Sequence, residues 1–314
     1  MTTRPTKLQE REQWPSLPYE EWKTTLDTLH MWMQIVGKVK LARAPFLNQW
    51  WEVALHITPR GMTTGPIPYD YEVFAIDFDF LSHTLMIRTS HGKEETMLLQ
   101  ARPVAAFYKE FMDRLNALGI QVPIHPVPSE VPHPIPFEQD TTHSSYDAEY
   151  VTRWWQIQLR LYTIFERFRT PFRGKSSPIH FFWGSFDLNG TRFSGKKATP
   201  PAMSGELGNI MRFAENEENF AFGFWPGDER FPHPALYSYI YPAPPEVETI
   251  KTGPIGSYFH TQLAECILPY EDVSKAADAE KMILHFLETT YTESATLAGW
   301  DIKALEGSIP PQFI

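Results

Sequence analysis

Apolar residues recur every three or four positions in four stretches of the chain, which is the spacing of one face of an α-helix. The predicted helices run from Tyr19 to about Lys40, from Pro103 to Gly119, from about Asp147 to Phe168 and from Ser274 to Ala298. Pro103 suits a first helical turn because its φ is fixed, and Gly119 suits the left-handed residue that ends a helix.

Alternating apolar and polar residues predict short half-buried strands between these helices. The predicted strands cover residues 51–58, 73–80, 84–89, 95–99, 219–225, 236–241 and 258–268. Residues 121–142 contain six prolines with interleaved apolar residues, which predicts an extended connector that packs against the body of the protein. The order helix, antiparallel strands, helix therefore occurs twice.

We predict an α+β fold of two similar halves, each a mainly antiparallel sheet flanked by helices. The N-terminal half spans residues 1–120, the proline-rich connector residues 121–142, and the C-terminal half residues 143–314. The repeated order favours an internal duplication, whereas the sparse identity between the halves is equally compatible with independent halves.

Residues 180–195 have the sequence of a β-hairpin. Asn189-Gly190 is the strongest short signal for a two-residue type I′ turn, because both central positions need positive φ. In that register Asp187 lies opposite Arg192, and the pair forms either a clamp for an anionic substrate or a structural ion pair. A regular strand would place His180 on the face opposite Asp187.

The stretch from Glu215 to Gly227 places three acids before an aromatic strand. Glu217 and Glu218 diverge, so one of them can enter an aromatic site, where burial would raise its pKa and suit it to acid–base catalysis. An exposed acidic loop is the alternative. In the next strand three tyrosines share a face and would either bind a ligand or pack as ordinary sheet residues: Tyr237, Tyr239 and Tyr241.

Composition narrows the range of functions. The formal net charge is −10 and Lys196-Lys197 is the longest basic cluster, which argues against nucleic acid as a partner. Aromatic residues make up 14% of the chain and 28 residues are proline, which favours short strands with rigid loops or a deep aromatic cavity. The single cysteine, Cys266, lies in an apolar run and is expected to be a buried thiol.

Several common site motifs are absent from the sequence. It contains no paired-cysteine or His-Glu-x-x-His metal motif, no glycine-rich phosphate loop and no Gly-x-Ser-x-Gly elbow. The first residues have no apolar signal region, and no apolar run approaches the length that spans a membrane. We therefore expect a soluble cytoplasmic protein without a membrane partner.

Several motifs together resemble the uncharacterised family catalogued as domain of unknown function 5996. They include His180-Phe-Phe-Trp-Gly-Ser-Phe-Asp-Leu, Thr191-Arg-Phe-Ser-Gly and Gly223-Phe-Trp-Pro-Gly. The resemblance covers nearly the whole chain and supplies no reaction. It implies that His180, Asp187, Arg192 and Glu218 are better site candidates than spacing alone suggests.

The chain departs from the family pattern in two places. Family members tend to have histidine at the position of Gln49, and Ser-His-Glu-Val in place of residues 216–219, which here read Asn-Glu-Glu-Asn. If those histidines bind a metal or transfer protons, this chain has lost or altered that step. Glu218 matches the acid of the family, which favours it over Glu217.

We expect an enzyme without an organic cofactor that binds a small, partly aromatic or anionic molecule between the halves and uses general acid–base catalysis. His180 or Glu218 would transfer the proton, and Arg192, held by Asp187, would stabilise negative charge. The predicted substrate-binding residues are His30, Asn48, Trp51, Trp183, Trp225, Tyr237, Tyr239 and Tyr241. Two alternatives stay open: a metal-dependent enzyme with His180, Glu218 and His30 as ligands, and a non-catalytic small-molecule binding protein.

Overall fold

The computed structural model describes residues 13–307 as two similar α+β halves. The first residues of the chain, for which the sequence predicts no signal peptide, lie outside this range. The helices are α1 (Tyr19–Arg43), α2 (Val104–Ala117), α3 (Ala148–Arg169), α4 (Gly205–Ala214), α5 (Tyr270–Lys275), α6 (Ala279–Leu297) and α7 (Ile302–Leu305). No helix within these residues combines the length and apolarity needed to cross a membrane.

Each half contains one six-stranded antiparallel sheet, which confirms the predicted fold class. The first sheet comprises β1 (His56–Thr58), β2 (Gly61–Thr63), β3 (Ile67–Tyr69), β4 (Glu72–Asp79), β5 (Thr84–Thr89) and β6 (Glu94–Leu98). The second comprises β7 (His180–Phe182), β8 (Asp187–Lys197), β9 (Glu217–Trp225), β10 (Ala235–Tyr241), β11 (Tyr258–His260) and β12 (Glu265–Pro269). Their strand orders are β1-β2-β4-β5-β6, with β3 on β4, and β11-β12-β10-β9-β8-β7.

The two sheets meet edge to edge. Leu55, just before β1, pairs antiparallel with Phe181 of β7, and each backbone N–H donates to the other's carbonyl oxygen at 2.9 Å. Both side chains are fully buried. The segment before β1 is thereby fixed against the second sheet.

Helix α3 packs behind this junction and joins the halves into one hydrophobic core. Trp154 stacks on Phe186 beside β8, and its ring also contacts Phe181 of the second sheet and Phe80 of the first. The α1 residue Trp22 lies on its other side. Burial of such large rings contributes strongly to stability, since each removes roughly 150–250 Å² from water.

The predicted hairpin exists, but its predicted turn and register are wrong. Strand β8 continues through Asn189 and Gly190, and the turn is formed by residues 183–186, where Phe186 has a φ of 62°. Asp187 therefore pairs with Phe182, not with Arg192. Gly190 is needed for close packing and not for a turn, because a Cβ at this position would lie 2.4 Å from the Phe222 ring.

Further elements differ from the prediction. Residues 51–53 form a turn that follows a short 3₁₀ helix at residues 48–50, so the predicted strand 51–58 is paired only at Leu55 and in β1, residues 56–58. Residues 261–264 form a turn that divides the predicted strand 258–268 into β11 and β12. Helix α4 was not predicted at all, although Leu207, Ile210 and Met211 have helical spacing.

The connector packs on the body, as predicted, and α1 holds it through one buried side chain. The amide nitrogen of Gln34 donates to the carbonyl of Ser129 at 2.7 Å, and its amide oxygen accepts from the Ser129 backbone N–H at 3.0 Å. Lys38 donates to the Ser129 hydroxyl at 2.8 Å. This pairing fixes the neighbouring Glu130, whose φ is 60°.

We expect Gln34→Met to lower the free energy of unfolding by about 2–4 kcal/mol, because both backbone groups of Ser129 lose their buried partner. Gln158→Met is the matched control. Gln158 is equally buried, and neither polar atom of its side chain has a hydrogen-bond partner within residues 13–307. Replacing Gln158 should leave the free energy of unfolding unchanged or raise it, as measured by urea denaturation. Equal losses of stability in both variants would contradict a stabilising role for the Gln34–Ser129 pairing.

Candidate functional site

A cavity of about 550 Å³ lies on one face of the second sheet. Its floor is made by alternate residues of the strands, and its cover by the segment 49–53, helix α4 and the connector at Ser129 and Glu130. Residues from both halves therefore line it. Its aromatic members are Trp50, Trp51, Phe182, Trp183, Phe193, Trp225, Tyr237 and Tyr239.

Strand β8 divides its side chains between this cavity and the core. Asp187, Asn189, Thr191 and Phe193 line the cavity. Arg192 is on the opposite face because successive residues of a strand alternate. The expected clamp of Asp187 and Arg192 is therefore not formed.

Arg192 is instead packed among aromatic rings behind the sheet. Its guanidinium carbon lies 3.6 Å from the centre of the Phe168 ring and 4.4 Å from that of Tyr291. It donates to the carbonyl oxygen of Phe168. Burial lowers the pKa of Arg192 to about 10, which leaves it protonated at neutral pH. Arg192 packs behind the sheet and does not line the cavity.

Asp187 is the centre of a hydrogen-bonded network on the cavity floor. Ser185 donates to its Oδ1 at 2.6 Å, and the hydroxyl of Tyr237 donates to its Oδ2. Asn189 donates to the same tyrosine hydroxyl at 2.9 Å. Burial raises the pKa of Asp187, while the two hydroxyl donors oppose that rise.

Gly223 makes room for this network. It pairs with Tyr237 on one side and with Asn189 on the other. A Cβ there would lie 2.5 Å from the Tyr237 hydroxyl. A larger residue at this position would displace the ring that holds Asp187.

Four further acids line the same cavity. Glu215 is buried and accepts hydrogen bonds from Asn219 at 2.6 Å and Tyr239 at 3.2 Å. Burial and the nearby Asp187 raise the pKa of Glu265 to about 7, and this side chain has no hydrogen-bond or ion-pair partner within residues 13–307. Glu130 and Glu206 stand at the exposed rim.

The prediction that Glu217 or Glu218 enters the aromatic site is wrong: neither lines the cavity, and the acid of this stretch that does is Glu215. Burial raises its pKa, as expected of an acid in such a place. Glu218 lies on the opposite face of β9 and accepts from Ser194 at 2.7 Å. Glu217 accepts hydrogen bonds from Lys175 and, at 2.9 Å, from Lys197. Partial burial alone would raise the pKa of Glu217, but these hydrogen bonds outweigh it and lower the pKa to about 2.

His180 is buried beside the cavity and does not line it. Its ring lies 5.9 Å from Trp51 and 5.7 Å from His56, centre to centre. Burial lowers its pKa to about 3, so the imidazole is neutral, and its Nδ1 has no partner within residues 13–307. Of these two ring neighbours, Trp51 lines the cavity.

The predicted substrate-binding residues divide into two groups. Those that line the cavity are Trp51, Trp183, Trp225, Tyr237 and Tyr239. The others bond elsewhere: His30 lies 3.0 Å from the carbonyl oxygens of Trp183 and Gly184, and Tyr241 donates to Thr199. Asn48 and Asn216 pair through their side-chain amides at 3.0 and 2.7 Å and attach the 3₁₀ segment beside the cavity.

The two departures from the family pattern contact each other. Gln49 donates to Glu217 at 3.0 Å and to Asn216 at 3.1 Å. Lys175 completes the group by donating to Glu217. Positions 49 and 217 therefore form one local unit, in which this chain has a neutral amide and a carboxylate paired with lysines.

The metal-site alternative required His180, Glu218 and His30 to converge. Across residues 13–307, no group of three or more His, Cys, Asp or Glu side chains has the geometry to hold a metal ion. The structure places Glu218 against Ser194 and His30 under the turn at residues 183–184, so these three side chains do not form a ligand set.

Sequence reasoning missed Glu265, Glu130 and the cover formed by α4. Glu265 stands at the start of an otherwise apolar strand, and Glu130 follows a proline-rich segment, so neither has a local signal that links it to Asp187. The spacing of Leu207, Ile210 and Met211 would have identified the helix.

Comparison with known proteins gives a family and no activity. No curated protein and no solved structure matches the chain. The model of the family of unknown function DUF5996 matches residues 14–307, which is nearly the whole length and includes every residue of the cavity. The chain therefore belongs to the DUF5996 family.

Proposed function

We propose that the cavity is the active site of an enzyme that acts on a small molecule by general acid–base catalysis, with Asp187 as the group that transfers the proton. The observation that supports this is the position of Asp187: it is only 7% exposed, it opens on the cavity, and its side-chain partners are the neutral hydroxyls of Ser185 and Tyr237. A buried carboxyl without a cationic partner is suited to exchanging protons at moderate pH.

The neighbours of Asp187 hold the carboxyl in one orientation. Tyr237 keeps its own proton, because burial raises its pKa well above the ordinary value, with the charge of Asp187 adding to the rise. It therefore acts as a fixed donor, and Asn189 fixes its hydroxyl in turn. Such second-layer hydrogen bonds are what a preorganised catalytic carboxyl requires.

Glu265 is the second acid–base group in this proposal. Its pKa of about 7 means that both protonation states are populated at neutral pH. Burial also raises the pKa of Asp187, against the effect of its two hydroxyl donors. Two neighbouring carboxyls of raised pKa can supply an acid and a base to one site. The aromatic walls, Trp51, Trp183 and Trp225, would hold the substrate by stacking.

We expect Asp187→Asn to lower kcat by about 10²–10⁴-fold, the usual contribution of a general acid or base, with little change in ligand affinity. Substrates can be found by incubating the protein with pools of small metabolites and following their depletion by mass spectrometry. Asp77→Asn, in the first sheet and paired with Arg88, is the control. A substrate that binds in the cavity and is turned over equally by Asp187→Asn would refute the assigned role, and binding without any turnover would support the binding-protein alternative.

Glu265→Gln should change stability in a pH-dependent way. A folded-state pKa raised to about 7 means that ionising Glu265 opposes folding, so its contribution to stability is full at acid pH and is lost as the pH rises through 7. The variant should match the wild type near pH 4, below the ordinary pKa of 4.5, and exceed it by roughly 1–2 kcal/mol near pH 8. Urea denaturation at the two pH values measures this; a variant that is less stable near pH 8 would contradict it.

A further inference from the structure

The cavity wall has charge of one sign. Within residues 13–307, no lysine, arginine or histidine lines the cavity. Its ionisable lining residues are all acids, namely Glu130, Asp187, Glu206, Glu215 and Glu265. These acids come from β8, β12, the two ends of α4 and the connector, so they surround the space from several directions. No lining side chain would attract a small anion. Burial raises the pKa of Glu130 and of Glu265 to about 7, so each carries part of a negative charge at neutral pH.

The nearby cations are engaged outside the cavity. Lys175 donates to Glu217 and Gln49, and Lys38 donates to Ser129 behind the connector. Arg192 faces the core on the other side of β8. None of these three side chains neutralises Asp187 or Glu265. The compensating positive charge for the cavity would therefore come with the ligand.

The aromatic side chains of the wall suit a cation as well as an apolar body. Rings attract a cation placed over their faces, and the attraction is strongest when water is excluded. The protein already shows this contact at the edge of the cavity. The ammonium of Lys175 lies 5.3 Å from the centre of the Trp51 ring and 4.5 Å from that of Phe193, both of which line the cavity.

The position of the acids gives a path for such a ligand. Glu206 lies at the exposed rim, where it attracts a cation. Glu130 is also a rim residue, but its carboxyl lies against Gly184, close enough that a Cβ there would be 1.9 Å from its Oε1. Asp187 is buried on the floor of the cavity, and Glu265 lines it as well. Glu265 has no side-chain partner of its own within the described residues, so its carboxylate is available to an ammonium group. Charge complementarity of this kind raises association rates and selects the sign of the ligand.

From this arrangement we propose that the ligand of the cavity is an organic cation, a protonated amine or quaternary ammonium attached to an apolar or aromatic body. The inference rests on the proposed function only in taking this cavity as the ligand site. It replaces the anionic substrate that the expected position of Arg192 had suggested.

A charge series with one common body tests the proposal. Phenethylamine, 2-phenylethanol and phenylacetate have the same ring and similar size, but their charges are positive, neutral and negative. Binding is measured by isothermal titration calorimetry near neutral pH. We expect the amine to bind at least about tenfold more tightly than the alcohol, and phenylacetate to bind least. The N,N,N-trimethyl derivative separates attraction of charge from hydrogen bonding, since it has no N–H donor.

Two isosteric variants test whether acids of the cavity cause the preference for the amine. Glu265→Gln and Glu130→Gln should each reduce the preference for the amine over the alcohol several-fold. Glu288→Gln is the matched control: it removes the same charge from an exposed α6 residue that does not line the cavity, and it should leave the preference unchanged. Thermal melting of each variant confirms that it is folded.

The outcomes separate this inference from the proposed catalysis. Equal binding of amine and alcohol, or no binding of the amine at about 1 mM, would overturn the cation preference and leave the role of Asp187 to its own turnover test. A preference that persists in both variants would also overturn it. Tight binding of the amine by the wild-type protein, together with no metabolite turned over by the wild type in the depletion screen, would support the cation site and refute the enzyme.

Discussion

The cavity depends on the pairing of Leu55 with Phe181. These two backbone hydrogen bonds join the edges of sheets that are otherwise separate in the chain, and the indole of Trp183 adds a third by donating to the carbonyl of Val53 at 3.0 Å. The segment 49–53 is held over the second sheet by these bonds. Without them one wall of the cavity would be open to water, and the rings that enclose the space would have no fixed position.

This contact brings the two similar halves together around the cavity. Each half has its own six-stranded sheet and covering helices, and one face of the second sheet is covered to form the cavity. The cover combines a 3₁₀ segment of the first half, helix α4 and the connector at Ser129 and Glu130. Loops and helix α4 thus make two similar halves asymmetric and create the cavity.

The sequence predicted those helices whose position depends on residues close to one another in the chain. The periodic apolar faces of α1 and α3, and the proline and glycine that flank α2, predicted helices at the right places. The turn predicted at Asn189-Gly190 is wrong because both residues contact residues distant in the chain. Asn189 donates to the hydroxyl of Tyr237, and Gly190 leaves room for the Phe222 ring. Glu265 and Glu130 reach Asp187 only through tertiary folding, so their place in the site could not be inferred from neighbouring residues.

The two faces of β8 have opposite chemistry, and this determines how the strand can pair. Asp187 opens on a space surrounded by acids, whereas Arg192 is 1% exposed among aromatic rings. Shifting the strand by one residue exchanges its faces. A slipped β8 would push the carboxylate of Asp187 into the aromatic core and leave the core without its guanidinium. Alternative pairings of the sheet during folding therefore carry a large electrostatic penalty, so the polar residues of this strand also specify its register.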